Sequence, residues 1–134
     1  MYSAKVLDHF HHPRNAGEIA RPSATVEVTN PVCGDVLRLS AVVSGETIVE
    51  AKFKVAGCVP AVACSSWIAE SLQGKLLNSL QPILPADIEA ALDGLPSASK
   101  HASILAADAL NQLVDELKKL EVRNSKPGSA DLRF

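Results

Sequence analysis

The chain has 134 residues, 47% of them hydrophobic, which suits one domain with a core and is too short to suggest two. A formal net charge of -2 gives no basic field for a nucleic-acid backbone, and 4% aromatic residues give no stacking platform for bases or sugars. The first residues hold no apolar run of signal-peptide length and no later stretch approaches the roughly 18 consecutive apolar residues of a membrane span, so neither nucleic acid nor membrane is expected as a partner, and a cytoplasmic location is expected.

Ser3 is a plausible N-cap for a short helix in which Val6, Leu7 and Phe10 recur at helical spacing until Pro13. Period-two alternation then predicts three strands, with Val26 and Val28 on the first. Leu37, Leu39, Ala41 and Val43 mark the second, and Val49, Ala51, Phe53 and Val55 the third. Ser44-Gly45-Glu46 carries the glycine of a tight reversal and predicts an antiparallel hairpin. Pro60 opens a helix whose stripe is Ala61, Cys64, Ser65, Ile68 and Leu72, and Pro85 opens a short one containing Ile88, Ala91 and Leu92. A long helix is expected from about His101 to Leu120, with Leu105, Ala109, Leu113 and Leu117 inward. The fold class is therefore α+β, a three-stranded antiparallel sheet with helices packed on one face. Residues 1–120 form the expected single domain, and the polar stretch 121–134 is expected to be a mobile tail.

Three cysteines, an odd number at spacings that match no small disulfide framework, are expected to be reduced thiols. Cys33 and Asp35 precede the second strand and Cys58 follows the third, so a hairpin of those strands brings all three to one edge of the sheet. Cys58 also precedes a helix, whose N-terminus is expected to favour its thiolate. His101, at another loop-to-helix junction, offers an imidazole to the same group. On spacing alone, metal ligation and simple burial of small residues remain evenly matched readings.

Four motifs resemble the iron-sulfur cluster scaffold family typified by IscU and the N-terminal domain of NifU. They are Tyr2 to Phe10 followed by Pro13-Arg14-Asn15-Ala16-Gly17, then Cys33-Gly34-Asp35, then Phe53 to Cys58, and last His101 to Ala109. They occur in the family's order and together span about Tyr2 to Leu120. The resemblance implies that Cys33 and Cys58 are thiolate ligands of a [2Fe-2S] cluster or iron, that Asp35 ligates metal or keeps the cluster labile, and that His101 is an auxiliary ligand. It also implies a scaffold rather than an enzyme, one that receives sulfur from a cysteine desulfurase and passes the cluster to acceptor apo-proteins. Carboxylate beside thiolate suits such transfer, because the harder ligand exchanges more readily.

Two departures qualify this. The family's third motif has a cysteine directly after the histidine, where this chain has Ala102. The remaining set of two sulfurs, one oxygen and one nitrogen is one that zinc accepts as well as iron. With one thiolate fewer, a sulfur relay carrying persulfide on Cys58 becomes an alternative, as does a regulatory module that binds the desulfurase. Leu95-Pro96-Ser97-Ala98-Ser99 departs from the Leu-Pro-Pro-Val-Lys stretch recognised by the family's Hsp70-type chaperone, with the lysine displaced to Lys100, which leaves chaperone interaction doubtful. Cys64 is expected to be a core thiol and His9, His11 and His12 a solvated helix end. Trp67 is expected to pack, Asp108 to be solvated, and Lys118-Lys119 to sit at a helix C-terminus.

Overall fold

A computed structural model describes residues 1–31 and 34–125, with side chains through Leu120. Helix α1 spans Ala4–His11, and the Ser3 hydroxyl caps it by accepting from the Val6 N–H at 3.1 Å. Strands β1 (Ala24–Thr29), β2 (Val36–Ser44) and β3 (Thr47–Ala56) form an antiparallel sheet in the order β1-β2-β3. Ser44 pairs with Thr47 around Gly45, whose positive φ of 64° serves the tight turn. Helices α2 (Val59–Leu72), α3 (Pro85–Ala91) and α4 (Lys100–Ser125) follow. Both α2 and α4 pack on the sheet, and α1 packs on α2, giving the expected α+β arrangement.

The core lies between the sheet's inner face and these helices. Leu37, Leu39, Ala41, Ala51 and Phe53 meet Ile68 and Leu72 from α2 and Leu105, Leu113 and Leu117 from α4. The expected stripe of α2 is wholly buried, and so are Ala63, Ser66 and Ala69, because α2 lies between α1, the sheet and α4. Among the described residues, no helix is long and apolar enough to cross a membrane.

The structure corrects five expectations about the elements and their faces. Val49 is exposed, while Ile48 is fully buried: Val42 pairs with Glu50 and Val43 with Ile48, so Val49 is the extra residue of a bulge that reverses the inward phase. In α1 the inward pair is Val6 and His9, and Leu7 faces out. His9 is therefore not part of a solvated helix end, although His11 and His12 are exposed. Helix α4 continues to Ser125, past Leu120, so the expected tail loses its first residues to the helix. Residues 126–134 lie outside the described residues. Lys118 and Lys119 consequently sit within α4, where Lys118 Nζ donates to the Leu80 carbonyl at 2.9 Å and Lys119 lies 3.8 Å from Glu116.

Candidate metal centre

Three junctions meet at one end of the sheet. Asp35 immediately precedes β2, Cys58 is the N-cap residue of α2, and His101 lies in the first turn of α4. The β2–β3 hairpin accounts for the first two: Val36 pairs with Ala56, so the start of one strand lies beside the end of the other. The chain is shaped locally to hold Asp35. Gly34, with φ at 75°, donates its N–H to the Asn30 carbonyl at 2.7 Å, and Asn30 donates its own N–H to the Asp35 carbonyl at 2.8 Å. At the other end, the Ser103 hydroxyl donates to Glu89 at 2.7 Å and Lys100 pairs with Glu89 at 3.4 Å, which anchors the first turn of α4 to α3.

The three side chains form a nearly equilateral triangle. Cys58 Sγ lies 3.6 Å from Asp35 Oδ2 and 3.6 Å from His101 Nε2, and those two atoms are 3.7 Å apart. A tetrahedral ion with metal–sulfur bonds near 2.3 Å and metal–nitrogen or metal–oxygen bonds near 2.0–2.1 Å separates its ligand atoms by roughly 3.4–3.5 Å. The triangle thus matches one face of such a tetrahedron to within a few tenths of an ångström, a shift small enough for side-chain rotation to supply. Asp35 is buried, whereas Cys58 and His101 are half-buried, which leaves the face approachable.

Gly57 makes the buried carboxylate possible. A Cβ at this position would stand 2.9 Å from Asp35 Cγ and 3.0 Å from Oδ2, closer than such atoms approach, with Ala61 Cβ 3.1 Å away on another side. The sequence reading included Gly57 in a motif without recognising it as the wall against which Asp35 rests. The signal was its position directly before Cys58.

The thiol chemistry differs from the expectation for Cys58. Burial pushes the Cys58 thiol above its ordinary value; the Ala61 backbone N–H pulls it down, while the Asp35 carboxylate raises it further through its charge and by accepting the S–H hydrogen bond. The helix N-terminus alone therefore does not yield a thiolate here. A cation held within the triangle would reverse this balance, because it would neutralise Asp35 and stabilise the sulfur anion directly.

Cys33 lies outside the described residues. Cys64 is fully buried in α2 and burial pushes its thiol up to about 12, in keeping with a core residue. Ala102 is 1% exposed and offers no ligand. Trp67 is half-buried against the core and Asp108 is exposed on α4, both as expected. Among the described residues, Asp35, Cys58 and His101 are the group of potential metal-ligating side chains that converges in this way.

The family model for the NifU-like N terminal domain matches residues 1–124. Over 120 residues the chain is 42% identical to iron-sulfur cluster assembly scaffold protein IscU 1 of Archaeoglobus fulgidus, covering 89% of this chain and 78% of that protein. Over 121 residues it is 41% identical to the iron-sulfur cluster assembly scaffold protein IscU of Escherichia coli K12, covering 87% of this chain and 94% of that one. The crystal structure of a NifU-like N-terminal protein from Brucella abortus superposes with a TM-score of 0.65 at 17% identity, covering 87% of this chain and 93% of that chain, a likeness of fold.

Proposed function

The chain belongs to the NifU-like N-terminal domain family, and from that membership we propose that it is a scaffold on which an iron-sulfur cluster is assembled and then passed on. Its ligands in this reading are Cys33, Asp35, Cys58 and His101. The observation that carries the proposal is the 3.6–3.7 Å triangle of one sulfur, one carboxylate oxygen and one imidazole nitrogen at a half-open end of the sheet.

The chemistry follows from the triangle. Metal arriving at Cys58 displaces the thiol proton to water at the half-open face, and Asp35 Oδ2, relieved of the S–H hydrogen bond it accepts, turns to the metal as a ligand. Cys58 supplies the soft ligand that iron and sulfide chemistry needs. Asp35 and His101 supply harder ligands whose bonds to iron are more readily exchanged, so the assembled cargo is held but not locked. The partners fitting this reading are a cysteine desulfurase as sulfur source and acceptor apo-proteins, in a reducing compartment such as the cytoplasm.

Anaerobic reconstitution with ferrous iron and sulfide is the test. The expected result is visible sulfur-to-iron charge-transfer absorption with iron and labile sulfide bound, lost in Cys58→Ala. Absence of both from the wild-type protein contradicts the proposal. Ala102 favours one second reading, a relay in which Cys58 carries persulfide. Incubation with a cysteine desulfurase and labelled cysteine separates the two, since a relay gains sulfur on Cys58 without binding iron.

A further inference from the structure

The two edges of the sheet are treated differently. Along β3, outward main-chain groups of Ile48, Ala51 and Phe53 are occupied: Phe53 donates to the Asn15 carbonyl at 3.0 Å and accepts from Gly17 at 2.9 Å. Ala51 donates to Gln73 Oε1 at 3.2 Å, and Ile48 donates to the Lys75 carbonyl at 2.9 Å and accepts from Gly74 at 2.7 Å. These segments cover most of the length of β3 and block it from recruiting another strand there.

The β1 edge is open. The hydrogen bond from Asn30 to Asp35, with the β1–β2 register, sets the alternation so that Ala24, Val26 and Val28 turn their N–H and C=O groups toward β2. Thr25, Glu27 and Thr29 turn theirs outward; all three residues are exposed, and among the described residues those groups have no hydrogen-bond partner. Neither proline nor lysine guards this strand.

A groove runs beside this edge, walled on its far side by α4, which is antiparallel to β1. Near the candidate centre it is an apolar hollow of about 500 Å³, lined by Val28, Pro31, Ala98, His101, Ile104 and Leu105, with Asp108 at its margin. Farther along, a second hollow is lined by Thr25, Glu27, Gln112, Asp115, Glu116 and Lys119. Glu27 pairs with Arg38 and Glu116 with Lys119, but Asp108 and Asp115 have no ion-pair partner among the described residues. They lie two helical turns apart on the face of α4 that lines the groove, about 10 Å along its axis.

An open strand edge facing a helix, with apolar and acidic walls, is the geometry that binds an extended peptide as an added strand. We propose that β1 and α4 receive an extended segment of a partner protein, main-chain bonded to Thr25, Glu27 and Thr29, whose α4-facing side chains, every second residue, are apolar at one end and basic beyond it. Its basic side chains meet Asp108 and Asp115, and its apolar end lies beside His101. Main-chain pairing supplies affinity, and the two carboxylates select the charge of the segment.

The test uses the full chain and a capped peptide of about seven residues, with valine at one end and arginine beyond it at the alternate positions that face α4 and threonine between them, long enough to pair along β1. Binding is followed by fluorescence anisotropy and by amide NMR. The expected result is saturable binding, with the Thr25, Glu27 and Thr29 amides shifted and slowed in exchange, and no binding by the same peptide carrying glutamate for arginine. Glu27→Pro removes one outward N–H and none of the inward pairing, and is expected to weaken binding about tenfold beyond Glu27→Gln. Asp108→Lys with Asp115→Lys is expected to weaken it about as much. Should Glu27→Pro fail to fold, the wild-type chain with a peptide N-methylated on the paired side gives the same comparison. Equal affinity for both peptides, or shifts confined to other amides, overturns the proposal. So does a dimer of the wild-type chain that Glu27→Pro dissociates, since the edge would then belong to a second copy.

Discussion

Gly57 and Ala102 are the two residues through which the candidate centre can be tuned without removing a ligand. A methyl at Gly57 would occupy the space of the Asp35 carboxylate, at 2.9 Å from its Cγ. Gly57→Ala is therefore expected to displace Asp35 and weaken zinc or cobalt binding about 10–100-fold, as loss of a supporting contact around a metal ligand does. The effect should vanish in an Asp35→Ser background, where there is no carboxylate to displace; competition titration with a chromophoric chelator reads both. Ala102→Cys restores a thiol directly after His101 and is expected to lengthen the lifetime of a reconstituted cluster against chelator. An unchanged lifetime would show that a thiol at this position does not reach the cluster. At this scale the sequence reading found residues by type and by position at element ends, and the structure brings Asp35, Cys58 and His101 together. It did not find Gly57, whose importance rests on a contact across the hairpin that no local pattern encodes.

Helix α1 is attached to α2 through His9. His9 Nδ1 shares a 2.8 Å hydrogen bond with the Ser66 hydroxyl, and the Arg14 N–H donates to the same oxygen at 2.8 Å. Burial holds His9 below its ordinary value of 6.5, with the Arg14 charge acting the same way and Glu70 and Asp8 opposing. A histidine lowered on folding binds fewer protons in the folded chain than in the unfolded one. Its contribution to stability is complete above about pH 6.5, falls as the pH drops through the ordinary value, and levels off below the folded value. Thermal unfolding midpoints measured from pH 7.5 to 5 should therefore fall more steeply for the wild type than for His9→Asn, whose amide stands where Nδ1 does, can keep the bond to Ser66 and cannot titrate. Parallel curves would refute this assignment. The sequence placed α1 correctly by its Ser3 cap and misjudged its inward face, because a polar residue paired with a serine on another helix is buried as readily as an apolar one. The phase of β3 was misread for a related reason: the bulge at Val49 is set by pairing with β2 and leaves no mark in the alternation itself.

Across the whole molecule, the order of helices and strands was legible because the apolar periods are clean and the punctuation is strong. Pro60 and Pro85 start helices where helix starts occur, and Gly45 turns the hairpin. The end of α4 was less legible, since Glu121-Val122-Arg123-Asn124-Ser125 carries little periodicity but continues a helix already held by its first five turns. That helix is the main beam of the core. Leu113, fully buried between α4 and the other core elements, is the residue by which to test it: Leu113→Ala is expected to cost about 2–5 kcal/mol in urea unfolding. A loss well under 1 kcal/mol would mean that α4 is not packed as described.

The central claim is that Asp35, Cys58 and His101 share one metal, and X-ray absorption of the zinc-loaded chain in solution tests it most directly. Sulfur scattering is expected near 2.3 Å together with nitrogen and oxygen scattering near 2.0–2.1 Å. The sulfur contribution should diminish in Cys58→Ser and the imidazole multiple scattering should disappear in His101→Ala. A zinc shell of nitrogen and oxygen alone, or one that neither substitution alters, would contradict it.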